Sequence, residues 1–156
     1  MEGELIVRKI REGTVIDHIP RGKALLLLRL MGIKGDEGYR LAVVSNVESK
    51  KMGKKDIIKV EGKELKGEEV DLIALVAPTV TINIVRNFEV VEKRKISVPK
   101  IVRGLLKCPN TSCVSNNDPE AVSEFSVRRE SPLLISCSYC ESRLSGEDVV
   151  KQLSGD

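Results

Sequence analysis

The apolar positions of this chain fall into two rhythms that alternate along its first two thirds. Thr14-Val15-Ile16-Asp17-His18-Ile19 is a β-branched run closed by Pro20, and it reads as a strand. Residues Arg21 to Met31 change to a helical period, with Leu25, Leu27, Leu28 and Met31 as the buried side and Gly32 as the stop. Tyr39 to Ser45 and Asp56 to Val60 return to the strand pattern, joined by a polar connection from Glu48 to Lys55 that contains Gly53. Glu61-Gly62-Lys63 makes a turn. Lys66 to Leu75 is helical, with Val70, Ile73 and Ala74 on one stripe, acidic residues early and Pro78 beyond its end. Thr79 to Val85 and Phe88 to Val91 are strands either side of an Arg86-Asn87 turn, and Leu5-Ile6-Val7 opens a further short strand. From residue 14 to 91 the order is β-α-β-β-α-β plus an extra strand. That order predicts an α+β fold, a ferredoxin-like antiparallel sheet with two helices on one face.

Glu92-Lys93-Arg94-Lys95 reads as a charged exit and Pro99 as part of a linker, which divides the chain into domains 1–97 and 98–156. The second segment is too short and polar to hold itself together by apolar burial alone. It carries all four cysteines, as Cys108-x4-Cys113 and, after a long spacer, Cys137-x2-Cys140. Two such knuckles let four thiolates converge on one ion, the pattern of a structural tetrahedral zinc site. Two disulfides or four inert core thiols are the competing readings. Disulfides suit an exported chain, and nothing at the N-terminus reads as an export signal. A catalytic zinc would keep a coordination position open and usually carry a His or carboxylate ligand, and the one histidine, His18, lies far upstream. The second domain is therefore expected to be a small β module whose folding is coupled to metal binding.

Composition narrows the function. The charges, 26 basic against 23 acidic, leave a net +3, a mixed surface unlike that of a nucleic-acid polycation. With no Trp, two Phe and two Tyr, stacking platforms for bases are scarce and the core is aliphatic. No apolar run approaches the ~18–20 residues of a membrane span. Reduced thiols and the absence of an export signal point to the cytoplasm. There is no phosphate-cradling glycine loop or nucleophile elbow, and no cysteine outside the metal site, so no residue is assigned a catalytic role.

Lys55, Lys59 and Lys93 lie near strand ends, where point charges gather an anion such as phosphate, although lysines there are often ordinary surface. Strand alternation sends the adjacent Asp17 and His18 to opposite faces, so they are not expected to meet at one ligand. Asp17 either accepts from a sugar hydroxyl or pairs with a nearby cation. Asn83, between Ile82 and Ile84, faces either a pocket or water.

Several strings then combine: Gly13-Thr14-Val15-Ile16-Asp17-His18-Ile19-Pro20, Met52-Gly53-Lys54-Lys55-Asp56-Ile57-Ile58-Lys59, Ala77-Pro78-Thr79-Val80-Thr81-Ile82-Asn83 and Asn87-Phe88-Glu89-Val90-Val91. With the cysteine spacing they resemble the regulatory chain of aspartate carbamoyltransferase over about residues 5 to 150. The resemblance implies a noncatalytic subunit of pyrimidine biosynthesis. Its first domain would bind CTP, ATP or UTP as effectors. Its zinc domain would dock on a separate catalytic chain, and regulatory dimers would bridge catalytic trimers. It further implies that Lys93 and the basic edge at Arg8 and Lys9 lie by the triphosphate. Asp17 and Lys59 would hold ribose and base-side groups, and Val7, Ile10, Val85 and Val90 would line the pocket. His18 and Phe88 belong to the same implied nucleotide site, Asn83 approaches the ribose or phosphates, and Lys55 sits near the signalling end. Arg8 stands where an acidic residue is often found, and Phe88 where a tyrosine is common. A free-standing zinc-ribbon protein that binds nucleic acid is the alternative from another class.

Overall fold

The computed structural model describes residues 9–155, which form two compact units: 9–66 with 79–96, and 67–78 with 97–155. In chain order the elements up to the linker are β1 (Gly13–Pro20), α1 (Ala24–Leu30), β2 (Arg40–Ser49), β3 (Gly53–Glu61), α2 (Gly67–Val76), β4 (Thr81–Arg86) and β5 (Glu89–Lys95). All the strand pairings of the first unit are antiparallel, in the order β2-β3-β1-β4-β5. This is the expected α+β architecture with β5 added at one edge.

The period of two divides that sheet into two faces. Thr14 and Ile16 of β1, Ile58 and Val60 of β3, and Ile82 and Ile84 of β4 are buried. Val15, Lys59 and Asn83, on the alternate positions, are only half-buried. One apolar and one wetter face is the usual state of an antiparallel sheet. Helix α1 packs near β3 through Ala24, Leu27, Leu28 and Met31, a stripe at i, i+3, i+4 and i+7. Leu25, expected on that stripe, is 76% exposed, because it lies one position round the helix from Ala24.

Several boundaries differ from the sequence-based expectation. The polar connection between the second and third strands is itself strand: β2 and β3 pair as far as Ser49↔Gly53, which leaves a three-residue turn. The charged run Glu92 to Lys95 completes β5 along an exposed edge. The hairpin turn is Asn87-Phe88, with φ of 51° and 66°, and Arg86 pairs with Glu89. Two positive φ values make the tight two-residue turn whose twist matches that of its strands.

β1 also departs from simple alternation. A bulge lies between Ile16 and Ile19, and His18 takes φ 58°. A second bulge interrupts β2 between Val44 and Val47, with Asn46 at φ 60°. Carboxylates supply the hydrogen bonds that the ladder loses there. Asp17 Oδ1 accepts from the His18 N–H at 2.6 Å, and Asp56 Oδ1 accepts from the Asn46 N–H at 3.1 Å. Asp56 is fully buried, and its other oxygen accepts from Gly22 N (3.0 Å) and Ala24 N (3.3 Å) at the start of α1. One side chain thus satisfies three backbone donors that burial would otherwise leave costly.

The second unit contains α2 together with β6 (Ile101–Arg103), α3 (Val114–Asn117), β7 (Glu124–Glu130), β8 (Leu133–Cys137), β9 (Arg143–Ser145) and α4 (Gly146–Ser154). Its four strands run β6-β7-β8-β9, each antiparallel to the next. Phe125, Ile135 and Val149 form the centre of a small core that includes Val102, Leu106, Leu144, three of the cysteines and Leu75 of α2. Ser145 and Asp148 form a reciprocal capping box that starts α4. No helix among the described residues is long and apolar enough to cross a membrane.

Candidate functional site

Register brings the first site together. Val15 on β1 lies directly opposite Lys59 on β3 and Asn83 on β4, and Asn83 lies opposite Lys93 on β5. Directly opposed residues share a face. The wetter face therefore carries a row across four strands that reads Lys59, Val15, Asn83, Lys93. One register step along, Gly13 faces Val85, which faces Val90. The Phe88 N–H donates to Arg11 O at 3.0 Å, which draws the segment around Lys9 and Ile10 to the β4–β5 hairpin.

The result is a cleft of ≈ 270 Å³ lined by Lys9, Ile10, Val15, Lys59, Asn83, Val85, Phe88 and Val90. Its walls are mostly apolar. Lys9 and Lys59 supply positive charge, and Lys93 stands next to Asn83. Asn83 Nδ2 donates a long bond of 3.4 Å to Val15 O. Among the described residues no ion pair holds Lys59 or Lys93. Such a cleft is suited to a ligand that joins a flat apolar portion to an anion.

Of the residues expected at a nucleotide, Lys9, Ile10, Lys59, Asn83, Val85, Phe88 and Val90 line this cleft. Val7 and Arg8 lie outside the described residues. Asp17 and His18 are not among the lining side chains: Asp17 pairs with Lys55 at 2.9 Å, and His18 Nδ1 lies 3.1 Å from Thr81 Oγ1. Val15 lines the cleft without having been singled out from sequence. The signal was available, since it alternates with the buried Ile16.

The second site is the cysteine cluster. The four Sγ atoms lie within 4.8 Å of one another, with Cys108–Cys140 at 3.5 Å and Cys113–Cys137 at 3.7 Å. A disulfide would hold its sulfurs about 2.0 Å apart, and all four cysteines are free. A tetrahedral ion with metal–sulfur bonds of about 2.3 Å sets its ligands about 3.8 Å apart. The observed spacing fits that shell. The knuckles come from the loop before α3 and from the end of β8, so an ion held by all four would tie the sheet to the polar loop beside it.

The thiols differ in setting. Burial pushes the Cys108 thiol up to about 12, so it would act as a thiolate ligand only with a cation beside it to compensate. The Ser142 hydroxyl and backbone N–H draw Cys140 down to about 6. Outer contacts that sequence reading passed over surround the first knuckle. Asn116 and Asn117 donate their side-chain amides to its carbonyls, and Gln152 of α4 bonds both polar groups of the Lys107 backbone.

Comparison with known proteins bears on both units. Residues 5–97 match the family model described as aspartate carbamoyltransferase regulatory chain, allosteric domain, and residues 100–150 match the metal binding domain of the same chain. An aspartate carbamoyltransferase regulatory chain of Saccharolobus islandicus is 56% identical over 150 residues, 96% of this chain and 94% of the relative. Those of Sulfolobus acidocaldarius and Metallosphaera sedula are 55% and 53% identical over 152 and 155 residues, covering 97% and 99% of this chain and 93% and 98% of theirs. With both domain models matched in order and this identity running almost end to end, the chain belongs to the family of aspartate carbamoyltransferase regulatory chains, noncatalytic subunits with an allosteric and a metal-binding domain.

Proposed function

We propose that the sheet cleft is the effector site of this regulatory chain and takes a nucleoside triphosphate such as CTP, ATP or UTP. The observation that carries the reading is the row Lys59, Val15, Asn83, Lys93 beside an apolar wall from Val85, Phe88 and Val90. A base packs on the wall, Lys59, Asn83 and backbone groups hold its edge and sugar, and Lys9 and Lys93 meet the phosphates. Arg8 adds a further positive charge on the same segment. In this reading domain 1–97 is the nucleotide-binding domain. Domain 98–156, held by one structural zinc on Cys108, Cys113, Cys137 and Cys140, docks on the aspartate carbamoyltransferase catalytic chain in the cytoplasm. Regulatory chains pair into dimers that bridge catalytic trimers, and the exposed Leu25 of α1 together with the β2 edge supplies a surface for that pairing.

Regulation then follows from linkage. An effector changes the catalytic chain only by binding one quaternary state more tightly than another, with a typical coupling of about 1–3 kcal/mol. Calorimetric titration of CTP and ATP into the metal-loaded chain, beside co-sedimentation with its catalytic partner, tests both halves. Saturable binding together with a heavier complex is expected. A complex formed without nucleotide binding leaves an assembly chain and removes the effector site. Salt-sensitive binding to RNA or DNA without a catalytic partner would favour the zinc-ribbon alternative.

A further inference from the structure

We propose that Asn116, Asn117 and Gln152 are positioning residues for the metal: they pre-form the wide first knuckle so that Cys108 and Cys113 meet the ion without reordering. The inference rests on the reading that the four thiolates hold zinc.

The two knuckles are built differently. Cys137-x2-Cys140 closes by its own backbone, with the Cys137 N–H on Ser142 O at 2.8 Å and the Glu141 N–H on Cys137 O at 2.9 Å. Cys108-x4-Cys113 holds two more residues between its sulfurs, and so has more conformations to lose when it closes on an ion. Within it the Cys113 N–H donates to Asn110 O at 3.0 Å. The carbonyls of Cys108, Asn110, Thr111 and Cys113 are met by side-chain amides.

Asn116 Nδ2 donates to Cys108 O at 3.0 Å and to Asn110 O at 2.7 Å. Asn117 Nδ2 donates to Thr111 O at 2.9 Å and to Cys113 O at 2.7 Å. A primary amide has two N–H donors, and each asparagine uses both on one half of the knuckle. Together they strap residues 108 to 113 from end to end. Gln152 fixes the approach: the Lys107 N–H donates to Gln152 Oε1, and Gln152 Nε2 donates to Lys107 O at 2.9 Å. The acceptors on Asn116 and Asn117 are carbonyl oxygens throughout, so an isosteric carboxylate would both lose the bonds and repel what it faces.

The test uses the full chain as wild type, Asn116→Asp and Asn117→Asp, with zinc competition against a chromophoric chelator, zinc-release kinetics and the Co(II) ligand-field spectrum. Each variant is expected to hold zinc about ten- to a hundredfold more weakly, the range for loss of an outer-shell partner, with faster release and an altered Co(II) spectrum. Where an aspartate variant fails to fold, Asn116→Ser and Gln152→Glu carry the test and are expected to show a smaller loss of the same kind. Wild-type affinity, release and spectrum in the variants overturn the proposal. So does lowered stability with an unchanged Co(II) spectrum, which is the signature of a role in folding alone. A wild-type chain that takes up no zinc overturns instead the reading of the site.

Discussion

Asp17 Oδ1 lies 2.9 Å from Lys55 Nζ and accepts the His18 N–H at 2.6 Å, so one carboxylate joins β1 to β3 and closes the bulge in β1. Asp17 is adjacent to His18 at a point where alternation has stopped, and its charge is already matched by a lysine of the same sheet.

Burial raises the Asp17 carboxyl, but the Lys55 hydrogen bond, the His18 N–H and the nearby positive charge outweigh it and leave the group below its ordinary 3.8. A depressed carboxylate contributes stability that is present above the unfolded value and lost as pH falls through the folded one. The pair therefore stabilises at pH 7, and its contribution declines once pH falls below the ordinary 3.8 and is lost through the lower folded value. Lys55→Met is expected to cost about 1 kcal/mol at neutral pH, a modest figure because both groups keep contact with water. Amide exchange of β1 in wild type and variant, compared at pH 7 and pH 3, checks it. A difference that persists undiminished at pH 3 would rule the ion pair out as the cause.

Gly13 begins β1 at φ 149°, and a Cβ built there would stand 2.0 Å from Val60 O and 2.9 Å from Glu61 Cα. Both obstacles are backbone of the paired strand, so nothing flexible can yield. Gly13→Ala is expected to destabilise the first unit by roughly 2–4 kcal/mol through strain and lost pairing. Chemical denaturation followed through Tyr39, the tyrosine of that unit, measures the change. A loss under 0.5 kcal/mol, the scale of ordinary surface changes, would show that β1 and β3 shift apart freely.

How far the chain could be read in advance depended on whether chemistry or environment carried the signal. The cysteine cluster was legible because thiol spacing is itself the constraint, and the core face of β1 because Thr14 and Ile16 alternate with Val15. The bulges were not. Asn46 is a residue type that tolerates positive φ more readily than His18 does, and while the His18 N–H rests on the neighbouring Asp17, the Asn46 N–H rests on Asp56 of the paired strand. β5 was read too short because an edge strand exposed on both faces, Glu92 to Lys95, has no burial pattern to show. For α2 the stripe of Ile73 and Ala74 announces burial without naming the surface. The structure groups the helix with the second unit, where Leu75 enters the core.

That grouping predicts the reach of metal removal. Three cysteines belong to the same small core as Leu75, Phe125 and Ile135, so extracting the ion leaves clustered thiols in place of a bonded centre. Chelation under denaturant-free conditions is expected to abolish amide protection in β7, β8 and also α2, while β1, β3 and β4 keep theirs. Hydrogen exchange with peptide-level resolution reads all of these at once. Continued protection of α2 in the metal-free chain would separate the helix from the metal-dependent core.

The cleft itself can be dissected by charge. Lys59 lines it and has no ion-pair partner among the described residues, whereas Asp17 is engaged with Lys55 and is absent from its lining. Lys59→Met removes a cation whose field is free to act on a bound anion, and it should weaken nucleoside triphosphate binding by about tenfold, with a shallower dependence on salt. Asp17→Asn removes a negative charge already neutralised within the protein, so its effect on affinity should stay within about threefold, the scale of a screened change of charge near a site. Calorimetry of both variants with CTP and ATP at two ionic strengths makes the comparison. Equal losses in the two would mean that the ligand draws Asp17 away from Lys55 on binding, and the β1 bulge would then be part of the effector site rather than its support.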